Sequence, residues 1–138
     1  MDETIPRVLI DTSVWIDFFH GKLLSLHREA LIALLDAEEV IITDIIRHEI
    51  LVGASTDKDF AQLSRLLDPI ETHTIADGEK TKFNRFGFEL RQKGLLGRYT
   101  DLSIAFIAKE RNVPIYSFDR YFNKLSSAKI IQSFEPRR

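Results

Sequence analysis

The stretch RVLIDTSVWIDFF, residues 7–19, runs from a short apolar segment into an aspartate and then, through a Thr-Ser pair, into a second apolar segment. RVLI (7–10) reads as a short buried strand. Thr12 or Ser13 then starts a helix carrying Val14, Trp15, Phe18 and Phe19. Asp11 therefore stands at the carboxyl end of a strand, at the edge of the core. An aspartate in that place is either a helix cap or one member of a site assembled from distant pieces.

The same alternation continues along the chain. Residues 23–37 form a leucine-rich amphipathic helix, VIIT (40–43) is the next strand, and residues 44–54 return to helix, stopping near Gly53. A helix at 57–67 ends before Pro69, and PIETHTI (69–75) contains a strand. Asp77-Gly78 opens a long helix, KGLLGRY (93–99) reads as a loop, and Thr100 begins a helix to about Arg111 that is apolar almost all round. PIYSF (114–118) is a strand with its proline at the start, where a missing N–H is tolerated. A short helix at 119–125 and a last strand near KIIQS (129–133) complete the series. Short apolar strands alternating with helices predict an α/β fold, a mostly parallel sheet of four to five strands covered on both faces. Such sheets bind ligands beyond the carboxyl ends of their strands.

The 138 residues read as a single domain, large enough to bury a core without staples. With no cysteine, disulfides and thiolate metal sites are excluded. No window approaches the roughly 20 apolar residues of a membrane span, and MDETIPRVLI lacks a basic region followed by a signal-type apolar stretch. A cytoplasmic protein is expected. The net charge of −2 hides an uneven distribution. Lys80, Lys82, Arg85, Arg91, Lys93 and Arg98 face only Glu89 between them, and the tail ends Arg137-Arg138. That run is a solvated helix face or a basic patch beside an acidic site.

Four acids stand out. Asp11 and Asp119 each follow a strand, and each also precedes a helix that it could cap. Glu49 shares an i, i+3, i+4, i+7 stripe with Ile46, Ile50 and Gly53, which places a carboxylate on a face that should point inward. Such a group needs a partner, a proton or a metal, and an ion pair with a nearby Arg or Lys is the plain alternative. Asp101 opens the most apolar helix, DLSIAFIA, where the helix dipole alone would favour it. Asp44 reads as a first-turn charge and is left out. Together the four acids would repel strongly in a partly dry pocket, and a hard divalent cation, Mg²⁺ or Mn²⁺, is the economical solution. Such a centre suits phosphodiester hydrolysis. If Thr12 or Ser13 takes the cap, Asp11 is left free to hold metal. Other motifs fail: His48-Glu49 begins an HExxH pattern, but Val52 stands in place of its second histidine, and no Walker loop or GxGxxG opening is present.

These residues resemble the PIN-domain ribonucleases, in particular the VapC-type toxins of toxin–antitoxin pairs. The likeness covers nearly the whole chain and rests on IDTSVWIDFF, on RHEILVGA (47–54) and on TDLSIAFIAKERNVPIYSFDRYFNKL (100–125). It implies a PIN-like three-layer sandwich and a metal-dependent endoribonuclease with one or two Mg²⁺ or Mn²⁺ ions. Asp11, Glu49, Asp101 and Asp119 would be the metal-coordinating, catalytic acids. Thr12, Ser13 and Ser117 would steady them by hydrogen bonds, and Arg85, Arg91, Lys93 and Arg98 would guide the RNA backbone. A cognate antitoxin, an RNA substrate and a homodimer are the implied partners. The alternatives are a housekeeping RNA-processing nuclease, a metal-dependent phosphatase and a binding module without turnover. Ser13, standing where haloacid-type phosphatases need a second aspartate, counts against the phosphatase.

Overall fold

The structure is a computed structural model that describes residues 7–137; residues 1–6 and Arg138, which carry most of the N-terminal stretch and half of the Arg-Arg tail noted above, lie outside the described residues. Four parallel strands form one sheet in the order β3-β2-β1-β4: β1 (Val8–Ile10), β2 (Val40–Thr43), β3 (Glu71–His73) and β4 (Ile115–Tyr116). The helices are α1 (Thr12–Phe19), α2 (Ser25–Asp36), α3 (Asp44–Val52), α4 (Asp57–Leu67), α5 (Lys80–Gln92), α6 (Tyr99–Arg111) and α7 (Arg120–Ser127), with a 3-10 turn at Asp77–Glu79 leading into α5. The predicted α/β sandwich is the observed one. Every residue of β1, β2 and β4 is buried, as in a parallel sheet covered on both faces. β3 lies at one edge and is correspondingly more open.

The strand expected near residues 129–133 is reduced to a single parallel bridge between Ile115 and Ser133. The Ile115 amide donates to the Gln132 carbonyl and the Phe134 amide donates to the Ile115 carbonyl, both at 2.9 Å. The C-terminal segment thus pairs with the β4 edge that would otherwise stay open. Several other boundaries move by a turn or less, and the strand expected over 114–118 is only Ile115–Tyr116. The helix expected from Asp77 begins as the 3-10 turn, and α6 starts one residue earlier, at Tyr99.

Packing follows the apolar pattern closely. In α6, Leu102 to Ala108 are all buried, so the helix runs through the core. It ends at Asn112, whose left-handed φ of 54° suits asparagine, and the Val113 amide closes the turn on the Ala108 carbonyl. Val113-Pro114 then delivers β4 directly beside β1. Arg111 fastens the other flank. Its guanidinium takes both oxygens of Glu79, at 2.7 and 2.9 Å, and the Thr74 carbonyl at 3.0 Å. That bidentate grip holds the Glu79 carboxyl down at about 2.

Trp15 is fully buried, and its indole N–H donates to the Ile10 carbonyl at 3.0 Å. This bond fixes α1 against the last residue of β1, one step before Asp11. Trp15→Phe should remove the donor and strand a buried carbonyl. The expected cost is about 1–3 kcal/mol, read as a lower urea midpoint at unchanged slope.

Candidate active site

All four strand ends lie at one edge, because the strands are parallel, and the chain order reverses between β1 and β4. That switch point is where open α/β sheets take ligands, and Asp11 and Ser117 face each other across it. The Asp11 amide donates to the Tyr116 carbonyl at 2.9 Å, extending the β1–β4 pairing. Ser13 and Ser117 each donate to Asp11 Oδ2, at 2.9 and 2.8 Å. The same hydroxyls accept from the backbone: Ser13 from the Phe118 amide and Ser117 from the Asp119 amide, both at 3.0 Å. A hydroxyl has one proton to give. Both protons are spent on Asp11, so the 3.3 Å approach of Ser13 Oγ to Ser117 Oγ follows from the shared target.

Asp11 does occupy the N-cap position of α1, with extended backbone, but its side chain makes no cap hydrogen bond. The cap does not pass to Thr12 or Ser13, contrary to expectation. They are the first two residues of the helix, and their hydroxyls are turned to the acids instead. Thr12 Oγ1 donates to Glu49 Oε1 at 2.6 Å. Glu49 is presented by α3, where buried Ile46 and Ile50 set the inward face and the Thr43 hydroxyl caps the helix by accepting the Ile46 amide at 3.1 Å. The ion pair considered for Glu49 is not formed with its neighbour. Arg47 turns the other way, donating to the Leu67 carbonyl and Thr72 Oγ1 at 2.8 Å each. Asp44 is exposed and bonds only its neighbour's amide, Ile45, in keeping with its exclusion.

Asp119 does cap α7: its Oδ1 accepts the Tyr121 amide at 2.9 Å. Among the described residues nothing bonds its Oδ2. Asp101 stands in the first turn of α6 with its side chain only 13% exposed, and Arg98 Nε lies 3.3 Å from its Oδ2. Tyr121 connects these two acids. It follows Asp119 by two residues and is pushed up to about 12 by burial and then by the charge of Asp101. Protonated, its hydroxyl donates to the Leu95 carbonyl at 2.9 Å. Its ring lies so close to Gly97 that a Cβ there would fall 2.5 Å from the ring. The loop before α6 is thereby clamped to α7. No periodicity ties Gly97 to Tyr121, so nothing in the sequence signals this contact.

Burial pushes the Asp11 carboxyl up, and the hydroxyls of Ser117 and Ser13 and the amide dipoles of Thr12 and Ser13 pull the other way. Among the described residues, none of the ion pairs involves Asp11, Glu49 or Asp119. Nor do three carboxylates or histidines converge to metal-coordinating range among them. The donors nevertheless suit a hard cation. They are all oxygens, one is a buried and unpaired carboxylate, and Mg²⁺ is usually held by one or two carboxylates with waters completing its shell. Of Arg85, Arg91, Lys93 and Arg98, Arg98 is the one placed at one of the four acids, Asp101. Arg85 pairs with Glu89 and lies over the Phe88 ring. Arg85 and Lys93 line a cavity of about 240 Å³ with Phe106 and Lys109, towards the far end of α6, and Arg91 is exposed on α5.

This fold and site define the PIN-domain class. Residues 8–127 match the PIN domain family model, and the chain belongs to that family. Ribonuclease VapC5 of Mycobacterium tuberculosis is 30% identical over 134 residues, spanning 96% of this chain and 97% of that one. Among solved structures, VapBC2 of Rickettsia felis, bound to a DNA fragment from its promoter, superposes with a TM-score of 0.71 at 19% identity, covering 94% of this chain and 98% of its own. VapBC-5 of Mycobacterium tuberculosis gives a TM-score of 0.61 at 24% identity, covering 94% and 99%.

Two outcomes follow from the geometry. A raised Asp11 pKa means that the folded protein holds its proton more tightly than the unfolded chain. Stability is then full below the unfolded value of about 4 and falls as pH rises through the folded one. Without divalent ions, Asp11→Asn should melt higher than wild type at neutral pH, and the gain should vanish in acid. Gly97→Ala should cost about 1–3 kcal/mol through overpacking against Tyr121, measured by urea unfolding. The loss should shrink on a Tyr121→Leu background.

Proposed function

We propose that this protein is a divalent-metal-dependent endoribonuclease and the toxin of a toxin–antitoxin pair, acting in the cytoplasm and held inactive by a cognate antitoxin. The observation that carries the reading is Asp11, a buried carboxylate with no cation among its described neighbours. Hydroxyls link its strand end to Glu49 and to the start of α7, at the switch point of a parallel sheet. Membership of the PIN family and the ribonuclease name of the 30% identical relative support the reaction class. The toxin role is supported by that relative's VapC name and by the VapBC names of the solved structures. No helix among the described residues is long and apolar enough to cross a membrane.

Asp11, Glu49 and Asp101 would hold a Mg²⁺ or Mn²⁺ ion, and Asp119 would hold a second or orient the attacking water. When bound, such an ion supplies Lewis acidity towards the phosphate oxygens and lowers the pKa of a water. The chain's own part is orientation. Ser13 and Ser117 hold Asp11 at one oxygen, leaving Oδ1 free of both serines. Thr12 fixes Glu49 through Oε1, which leaves Oε2 outside that bond. Asp119 spends Oδ1 on its helix, which leaves Oδ2 outside that bond for the role of orienting the water. Arg98, an exposed partner of Asp101, would meet the RNA backbone. Phosphate contacts of this kind position the strand and do not read its sequence.

Purified protein should cleave RNA when given Mg²⁺ or Mn²⁺, stop on chelation, and leave 5′-phosphate and 3′-hydroxyl ends on sequencing of the fragments. Asp11→Asn should reduce cleavage to background, and Ser117→Ala should lower it by about 10–100-fold, the usual loss when a residue orienting a metal ligand is removed. Metal-dependent cleavage that survives Asp11→Asn would refute the assignment. Expression in cells should arrest growth, and co-expression of the product of an adjacent antitoxin-like reading frame should relieve it.

A further inference from the structure

Phe118 lies between Ser117 and Asp119 and is 39% exposed, an apolar ring at the rim of a polar site. It is held from beneath. Its amide donates to Ser13 Oγ at 3.0 Å, the same hydroxyl that binds Asp11. Two aromatic neighbours meet the ring almost at right angles: His27 with centroids 5.0 Å apart at 88°, and Tyr116 at 6.0 Å and 84°. His27 is itself fixed, sharing a 2.6 Å hydrogen bond between Nδ1 and the Tyr116 hydroxyl. Among the described residues, no ring of this chain lies parallel on Phe118. A scattered exposed apolar side chain needs no explanation. One anchored through the hydrogen-bond network of a buried carboxylate, with its inner neighbours immobilised, is pre-organised for a ligand.

We propose that Phe118 is a stacking platform for one nucleobase of the RNA, the base next to the phosphate that the site would cleave. The inference rests on the nuclease reading above and adds to it a substrate-positioning residue. The chemistry suits a flat π-system. A phenylalanine offers no hydrogen bond to a base edge, so it accepts any base by its face and favours single-stranded RNA, whose bases are free to splay. The anchoring also couples the two events. A base on Phe118 bears on the loop whose amides are held by Ser13 and Ser117, so the strand is gripped through the groups that orient Asp11. The effect should be register, fixing which phosphate reaches the acids, without discrimination between bases.

The test uses the full chain carrying Asp11→Asn, which does not consume its ligand, and short single-stranded RNAs with 2-aminopurine walked along the strand. Stacking should quench the fluorophore at one position. Adding Phe118→Ala or Phe118→Leu should abolish that quench and weaken binding by about tenfold, and Phe118→Trp should restore both. The leucine variant keeps apolar bulk without a π-face, and equal melting temperatures certify the fold. In the active protein, Phe118→Ala should raise KM, and the penalty should disappear on RNA with an abasic residue at the quenched position. Unchanged quenching and affinity in Phe118→Ala would overturn the proposal and assign the ring to a protein-facing surface. Binding without any quench would overturn it while leaving the nuclease reading intact. Failure of the parent to bind RNA, with no cleavage by wild type, would remove the nuclease reading and the platform with it.

Discussion

A carboxylate taken out of water at the edge of a sheet loses solvation that only close polar partners can replace, and Asp11 finds those partners in two serine hydroxyls. The rest of the site is arranged around that constraint. Ser13 comes from the first turn of α1 and Ser117 from the end of β4, so one oxygen of Asp11 joins elements more than a hundred residues apart. Each serine then accepts the backbone amide of a residue beyond β4, which fixes the path of the chain into α7. Thr12, beside Ser13 in the same turn, extends the bonding to Glu49 on α3. Three successive residues, Asp11 to Ser13, thereby organise both halves of the sheet edge.

The choice of hydroxyls over cations has an energetic logic. A lysine or arginine beside Asp11 would neutralise it strongly in a partly buried setting and would hold the place that the proposed divalent ion would take. A serine stabilises the anion more weakly and adds no charge, so the carboxylate stays short of compensation. The raised proton affinity of Asp11 is the trace of that shortfall. Stability is therefore sacrificed locally at the site, as is common where function requires strained or under-compensated groups. The core absorbs the loss, with the buried run of α6 and the Trp15 anchor packed against the same strands.

Much of this arrangement was legible in the chain. The strand-helix alternation gave the sheet because apolar runs of four residues cannot serve as long amphipathic helices, and burial of β1, β2 and β4 followed. The placement of Asp11 at a strand end needed only RVLID, and the inward face of Glu49 needed only the Ile46–Ile50 spacing. What stayed hidden were contacts between residues distant in sequence. Asp119 looked the same as cap or ligand, and it is a cap that still has an oxygen to spare. Arg85 and Arg98 looked alike in a basic run, yet Arg98 lies at Asp101 while Arg85 pairs with Glu89 on its own helix, at the cavity towards the far end of α6. The last strand failed for a local reason: with Lys129 in the left-handed region at φ 62°, the chain turns just before it reaches β4 and makes only one bridge.

Asp101 departs from the hydroxyl rule, and the departure is instructive. Its partner is Arg98, whose own side chain is 80% exposed. An ion pair so open to solvent is worth little, about 0–1 kcal/mol, and an incoming phosphate can compete for the guanidinium at small cost. The protein thus leaves its deepest acid without a cation and gives the half-buried Asp101 a partner that is itself open to solvent. If the proposed nuclease reading holds, the guanidinium that offsets Asp101 in the free protein is also the one that would meet a backbone phosphate. Tyr121 and Gly97 matter to this arrangement because the ring clamped against Leu95 and Gly97 ties the loop that carries Arg98 to the start of α7, two residues from Asp119.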